Sequence, residues 1–163
     1  MPLDPGTVAP DFRLPGGDGH PHGLGDLTAG GAALLIFFKC SCPTCQLAFP
    51  VYGELARRYG DVVPVVAVSQ DPLLKAREWL HEKGFAGLVV DDTPDHYAAS
   101  RAFGIDVLPT MVLVDGERTV VQVSQGWDRD GTNEMAAALG RIAGRPGDPV
   151  STEADGRPVF KPG

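Results

Sequence analysis

An α/β fold on a central mixed sheet is what three features of this 163-residue sequence predict. Short apolar runs of strand length, "GAALLIFF", "VVPVVAVS" and "GLVV", alternate with segments of helical periodicity, the order expected of a sheet with parallel neighbours and flanking helices. Later in the chain "TMVLVDGERTVVQV" reads as two strands joined at Asp115-Gly116, which adds an antiparallel pair. Before all of these, residues 7–30 read as a small β-hairpin and its exit: "DFRLP" extends, "GGDGH" turns, and "PHGLGDL" returns.

Each element has its own justification. "GAALLIFF" is apolar without interruption, as a strand covered on both faces must be. After it, Leu47, Val51, Leu55 and Tyr59 recur every four residues and mark a helix face, which Gly60 stops. "VVPVVAVS" is a second buried strand. "DPLLKAREWLHEKG" is a helix with Asp71 as its cap, Pro72 at its first position and Gly84 at its end. "GLVV" is a short third strand. "TPDHYAASRAFG" repeats the helix pattern from Thr93 and Pro94 to Gly104, and this start accounts for the acidic Asp91, Asp92 and Asp95. After the second hairpin, "TNEMAAALGRIAG" is a helix capped by Thr132 and closed by Gly144. Trp79 and Trp127 read as packing residues, and Arg57 and Arg58 as a solvated face. One domain is therefore expected over residues 1–144. The remainder, 145–163, is rich in Pro and Gly with few apolar residues and reads as an extended or disordered arm.

Charge narrows the function. The net charge is -7, so neither nucleic acid nor an anionic membrane is attracted over long range, and neither is expected as the main partner. No apolar run approaches the length of a membrane span. "MPLDPGTVAPDF" lacks the basic segment and apolar core of a secretory signal. The expectation is a cytoplasmic monomer, or an extracytoplasmic one if a leader or anchor precedes these residues. Three cysteines, an odd number, argue against a structural disulfide framework.

All three thiols lie in "KCSCPTCQLAFP", where the first buried strand meets a helix N-terminus. A thiol there feels the positive end of the helix and its unpaired N–H groups, both of which favour the thiolate, the form that attacks a disulfide. A resolving partner must lie within one helical turn, and the Cys42 to Cys45 spacing of three provides that. Cys42, nearer the exposed end, is the nucleophile candidate, and Cys45, one turn in, the resolving thiol. Lys39 at the strand end is placed to add positive charge, and Pro43 and Thr44 occupy the space between the pair.

In these residues the sequence resembles the thioredoxin superfamily and, within it, the redoxin branch of TlpA-like and ResA-like thiol-disulfide oxidoreductases and alkyl hydroperoxide reductase/thiol-specific antioxidant proteins. "VAPDFRLPGGDG" resembles that family's N-terminal hairpin, "LLIFFKCSCPTC" its first central strand and active site, and Pro50 the proline that kinks its active-site helix. "GIDVLPTMVLVD" resembles its second signature, and "VDGERTVV" its closing hairpin. The resemblance implies a thioredoxin-like fold with one inserted strand-helix unit, "VVPVVAVSQDPLLKAREWLHEKGFAGLVV". It implies that Pro109 follows a cis bond and faces the cysteines, with Leu108, Pro109 and Thr110 positioning an extended substrate segment. It implies disulfide exchange with protein thiols and a further reductant or oxidant partner, with no organic cofactor. The chain departs from many thioredoxins in two places: Ser41 stands where a Trp is common, and Ile36 where a buried acid serves the resolving thiol.

Two other readings share these residues. Cys40, Cys42 and Cys45 with His96 would make a soft metal site resembling that of Sco-type copper carriers. Peroxidase activity is the other, since "CPT" resembles the peroxidatic segment of peroxiredoxins, although Lys39 stands where they place a Thr. The family pattern asks nothing of Cys40, which reads as a small, half-buried loop residue unless it is a third thiolate ligand.

Overall fold

The computed structural model describes all 163 residues. The chain opens with β1 (Arg13–Pro15) and β2 (Pro21–Gly23), an antiparallel hairpin with Arg13 opposite Gly23. The expected return is shorter than the sequence pattern suggests, because Asp26 accepts a hydrogen bond from the Gly23 N–H at 3.0 Å and starts a one-turn helix, α1 (Leu24–Leu27).

Five strands make the central sheet. They are β3 (Ala33–Phe38), β4 (Val65–Ser69), β5 (Leu88–Asp91), β6 (Thr110–Val114) and β7 (Val120–Gln125), in the order β5-β4-β3-β6-β7. β3 and β4 are parallel, as are β4 and β5, whereas β6 runs antiparallel to both β3 and β7. This is the mixed sheet that the strand pattern predicts. The connecting helices are α2 (Pro43–Tyr59), α3 (Leu73–Glu82) and α4 (Ala98–Ala102). A two-residue strand, β8 (Trp127–Asp128), then leads into α5 (Arg129–Ala143).

The uninterrupted apolar character of β3 follows from its central place. Leu34, Ile36 and Phe38 enter one core with α2 and α5, while Ala33, Leu35 and Phe37 enter the opposite core with α1 and α4. Phe37 and Phe38, adjacent in sequence, are both fully buried on opposite faces, and each such burial stabilises by about 1.5–3 kcal/mol.

Three helix starts differ from expectation, each set by where a nearby carboxylate makes its hydrogen bonds. Asp71 does not cap α3. It accepts from the Cys40 N–H at 2.7 Å, and α3 starts one residue later, with Pro72 at the cap position. α4 starts at Ala98 rather than at Thr93-Pro94: Asp91 turns back to the Thr93 N–H at 2.8 Å, and the buried Asp92 takes the Ala99 and Ser100 N–H groups at 3.0 and 2.8 Å. His96 and Tyr97, both at positive φ, make the intervening turn. α5 starts at Arg129 under Asp128, which accepts from the Gly131 N–H at 3.1 Å, so Thr132 lies inside the helix.

Residues 145–163, read from composition as an extended or disordered arm, are extended but tied down along their length. Arg145 pairs with Asp61 at 2.6 Å. Asn133 clamps the Val150 and Ser151 N–H groups at 2.9 and 3.1 Å. A 3₁₀ turn follows at Glu153–Asp155, and then β9 (Phe160–Lys161) pairs antiparallel with β8, Trp127 opposite Lys161. The arm lacks an apolar face of its own. The domain's side chains hold its main chain instead: Arg58 donates to Asp148 O at 2.8 Å and Trp127 Nε1 to Pro158 O at 2.7 Å. Arg58 thus holds the arm rather than facing solvent alone.

Candidate active site

β3 delivers the cysteines and β6 meets them. Because those strands are antiparallel with Phe37 opposite Thr110, the end of β3 and the start of β6 lie side by side. Two short loops, Lys39–Cys42 and Val107–Pro109, therefore converge above one edge of the same strand pair. The Leu108-Pro109 bond is cis, as the resemblance implies, and Pro109 is buried. Pro50 lies inside α2, one turn beyond Gln46.

Cys42 is the N-cap of α2, in extended backbone at φ -76 and ψ 117. Its Sγ accepts a hydrogen bond from the Cys45 N–H at 3.2 Å and lies 3.4 Å from the Leu108 carbonyl oxygen, to which it donates while protonated. Cys45 is fully buried one turn along, and Cys42 is partly exposed. The two thiols are driven apart electrostatically. Cys42 is lowered to about 6, first by the hydrogen bond from the Cys45 thiol, then by the Cys45 and Thr44 N–H groups and the charge of Lys161, against the effect of partial burial. Cys45 is pushed far up by the same hydrogen bond and by burial. At neutral pH the arrangement holds one thiolate and one thiol, the state needed for nucleophilic attack followed by resolution.

Cys40 belongs to a different environment. It is 4% exposed, and its thiol is pushed up to about 12 by burial and by Asp71. Burial works to raise Asp71 as well, but the Cys40 N–H and thiol and Lys75, 3.2 Å away, hold its carboxyl below the usual range. The metal set of Cys40, Cys42, Cys45 and His96 does not come together. No three His, Cys, Asp or Glu side chains are arranged to hold an ion, and His96 sits exposed on the turn before α4, its carbonyl accepting from Arg101 Nε at 3.0 Å.

The remaining sequence-predicted residues divide by task. Thr110 Oγ1 donates to Val107 O at 2.8 Å and closes the loop that carries Leu108. Pro109 O accepts from the Gly126 N–H at 2.8 Å, which fixes that loop to the end of β7. Pro43 is the first residue of α2, and Thr44 Oγ1 donates to Pro162 O at 2.8 Å. Lys39 is exposed, and the ammonium whose charge reaches Cys42 is that of Lys161.

Four contributors escape the sequence reading. Gln46 Nε2 donates to Cys40 O at 3.2 Å and braces the cysteine loop from the helix. Asp71 serves the same loop from the end of β4. Lys161 arrives from the arm. Tyr52, two turns beyond Cys45 on the same helical face, is fully buried with its hydroxyl lacking a partner. Burial, with the nearby cysteines, raises its phenol. Only the spacing of Tyr52 from Cys45 could have signalled its place.

Comparison with known proteins matches residues 4–139 to the Redoxin family model. A methylamine utilization protein MauD of Paracoccus denitrificans is 34% identical over 117 residues, which cover 70% of this chain and 55% of that protein. A thiol-disulfide oxidoreductase ResA of Geobacillus kaustophilus is 31% identical over 123 residues, 74% of this chain and 69% of that one. The chain thus spans about half the length of the MauD relative. Among solved structures, a Chlorobium tepidum protein assigned as a thiol:disulfide interchange protein DsbE superposes with a TM-score of 0.75 at 27% identity, covering 86% of this chain and 99% of that one. Peroxidoxin BcpB of Mycobacterium tuberculosis, with a TM-score of 0.72 at 23% identity over 85% of this chain and 97% of its own, shares the fold.

Proposed function

The chain belongs to the redoxin family, and on that premise we propose that it is a thiol-disulfide oxidoreductase, exchanging its Cys42–Cys45 pair with cysteines of a protein partner. The observation that carries this reading is the opposed state of the two thiols across one helical turn: Cys42 lowered to about 6 and Cys45 held protonated beneath it.

The steps follow from that opposition. The Cys42 thiolate attacks one sulfur of a partner disulfide, a Cys42–S bond forms, the partner's S–S bond breaks, and the departing thiolate takes a proton from solvent. In the mixed disulfide Cys42 carries no charge. The interaction that held the Cys45 proton is then gone, and Cys45 loses it more readily. Cys45 attacks Cys42 Sγ, the intramolecular disulfide forms, and the second partner thiolate leaves. Two electrons pass to the partner, and a second dithiol restores the pair. Run in reverse, the same steps oxidise a dithiol. Throughout, the Cys45 N–H is available to the Cys42 sulfur, and the Leu108 main chain stands beside it for an extended segment.

Reduction of insulin disulfides with a dithiol donor tests the proposal. Cys42→Ser should abolish turnover, and Cys45→Ser should accumulate mixed disulfides through Cys42. Full activity in Cys42→Ser would remove the nucleophile from this scheme.

A further inference from the structure

The Leu108 edge is already in use. The segment Arg157–Gly163 runs along it. β9 pairs with β8, Thr44 Oγ1 donates to Pro162 O at 2.8 Å, and Gly163 lies so close that a side-chain carbon there would collide with the Leu108 carbonyl oxygen and stand 2.8 Å from Leu108 N. The opposite wall is also close: a side-chain carbon on Gly126 would meet Lys161 O at 2.9 Å and Gly163 N at 3.1 Å. We propose that the cleft between Thr44, Leu108 and Gly126 takes an extended partner segment that offers a carbonyl to Thr44 and a glycine to Leu108, and that residues Phe160–Gly163 fill it as an internal stand-in until such a segment replaces them. The inference rests on the reading of Cys42–Cys45 as an exchange centre.

Three further observations fit an occupant built to leave. First, Val159 and Phe160 are 56% and 57% exposed, so this stretch is held by main-chain bonds rather than by burial of its side chains. A replacing strand can remake those bonds without uncovering a core, which keeps the exchange near balance. Second, the anchors of the arm lie upstream. Arg157 Nε donates to Leu47 O at 2.8 Å, Trp127 Nε1 holds Pro158 O, and Asn133 holds Val150 and Ser151. Residues 160–163 can therefore lift away while the upstream arm stays. Third, Gly163 lies against the Leu108 main chain whose carbonyl oxygen is 3.4 Å from Cys42 Sγ, so the occupant ends beside the residue that flanks the reacting sulfur, and the Lys161 charge reaches that sulfur. Competition follows directly: a segment cannot present its cysteine to Cys42 along Leu108 while Gly163 is there.

The test uses the 163-residue chain with Gly163→Val, and a second variant carrying Phe160→Pro as well. Three quantities are read: amide exchange at Lys161, binding of the free peptide Gly-Arg-Pro-Val-Phe-Lys-Pro-Gly, and rates of reaction with an unstructured peptide disulfide and with a small aromatic disulfide at pH 8, where Cys42 is thiolate. The parent should protect that amide and bind the peptide weakly. Both variants should lose the protection, bind the peptide about ten-fold more tightly and reduce the peptide disulfide about ten-fold faster, with the small disulfide reacting at an unchanged rate. Retained protection in Gly163→Val, or equal peptide affinity in parent and variants, overturns the inference whatever the exchange rates are. Absence of exchange in parent and variants alike, with the affinity difference present, overturns the exchange reading and leaves the cleft assignment standing.

Discussion

The Cys45 amide nitrogen lies 3.2 Å from Cys42 Sγ, so the sulfur expected to attack also caps the helix that carries its resolving partner. A reduced, ionised Cys42 therefore stabilises the start of α2, and conversion to a disulfide removes that charge from the helix end. Protonation, redox state and helix stability are coupled through this one contact.

The first consequence is a pH profile. Alkylation of the reduced protein by iodoacetamide should rise through an apparent pKa of about 6 and level above it, with Cys42 as the modified residue. The folded pKa lies below that of an ordinary thiol, near 8.5 in an unfolded chain, so the stabilisation of the reduced form is fully present above that value and is lost as pH falls through about 6. Thermal unfolding of reduced Cys42→Ser should lack this dependence. A midpoint near 8.5 in the parent would show that the helix end and its neighbours do not act on the sulfur.

The reduction potential should report the same ionisation. Cys45 keeps its proton across the accessible range, so reduction takes up two protons below the Cys42 pKa and one above it. The potential should then fall by about 59 mV per pH unit below pH 6 and by about 30 mV above it. Glutathione titrations at several pH values locate the break, and a single slope between pH 5 and pH 8 would contradict the assignment.

Cys40 should stand outside the exchange. Oxidation followed by mass spectrometry should find the Cys42–Cys45 bridge with Cys40 unmodified, because its thiol is buried and pushed up to about 12. Cys40→Ser should keep near-normal exchange and lose on the order of 1 kcal/mol of stability from burying a hydroxyl. A dominant bridge through Cys40 would reassign the pair.

Asp71→Ala should destabilise more than a surface change does. It leaves the buried Cys40 N–H without its 2.7 Å acceptor, at a cost of about 1–3 kcal/mol. Asp71→Asn retains an acceptor oxygen and should recover most of that loss in denaturant unfolding. Equal losses in the two variants would mean that the negative charge, not the hydrogen bond, holds the loop.

Tyr52→Phe makes the opposite prediction. Its hydroxyl is buried without a partner, so removing the oxygen should leave stability unchanged or raise it by about 1 kcal/mol. A marked loss of stability would show that the hydroxyl has a partner in solution.

What the sequence disclosed and what it hid divide along a physical line. Apolar runs report strands buried on both faces, so β3, β4 and β6 were legible, and the order of "KCSCPTC", Pro50 and "LPT" located the site. Helix starts were less legible, because Asp71, Asp91 and Asp92 each had several N–H groups within reach and tertiary geometry chose among them. The arm was the least legible. Its own residues carry little burial, and the groups that fix it, Arg58, Asn133, Trp127 and Thr44, lie far upstream in the chain. Composition measures what a segment can bury, not what other segments offer to its main chain.

The pairing of Phe37 with Thr110 sets a tolerance for the whole centre. Side chains in a strand alternate between faces, so a slip of one residue between β3 and β6 would send Phe37 into the wrong core and move Pro109 by a full residue relative to Cys42. The alignment of the two sulfurs with Leu108 is thus enforced by Leu35, Phe37 and Val112, residues buried away from the chemistry. Selection for a tight core on that far face is, in effect, selection for reactivity at the sulfurs.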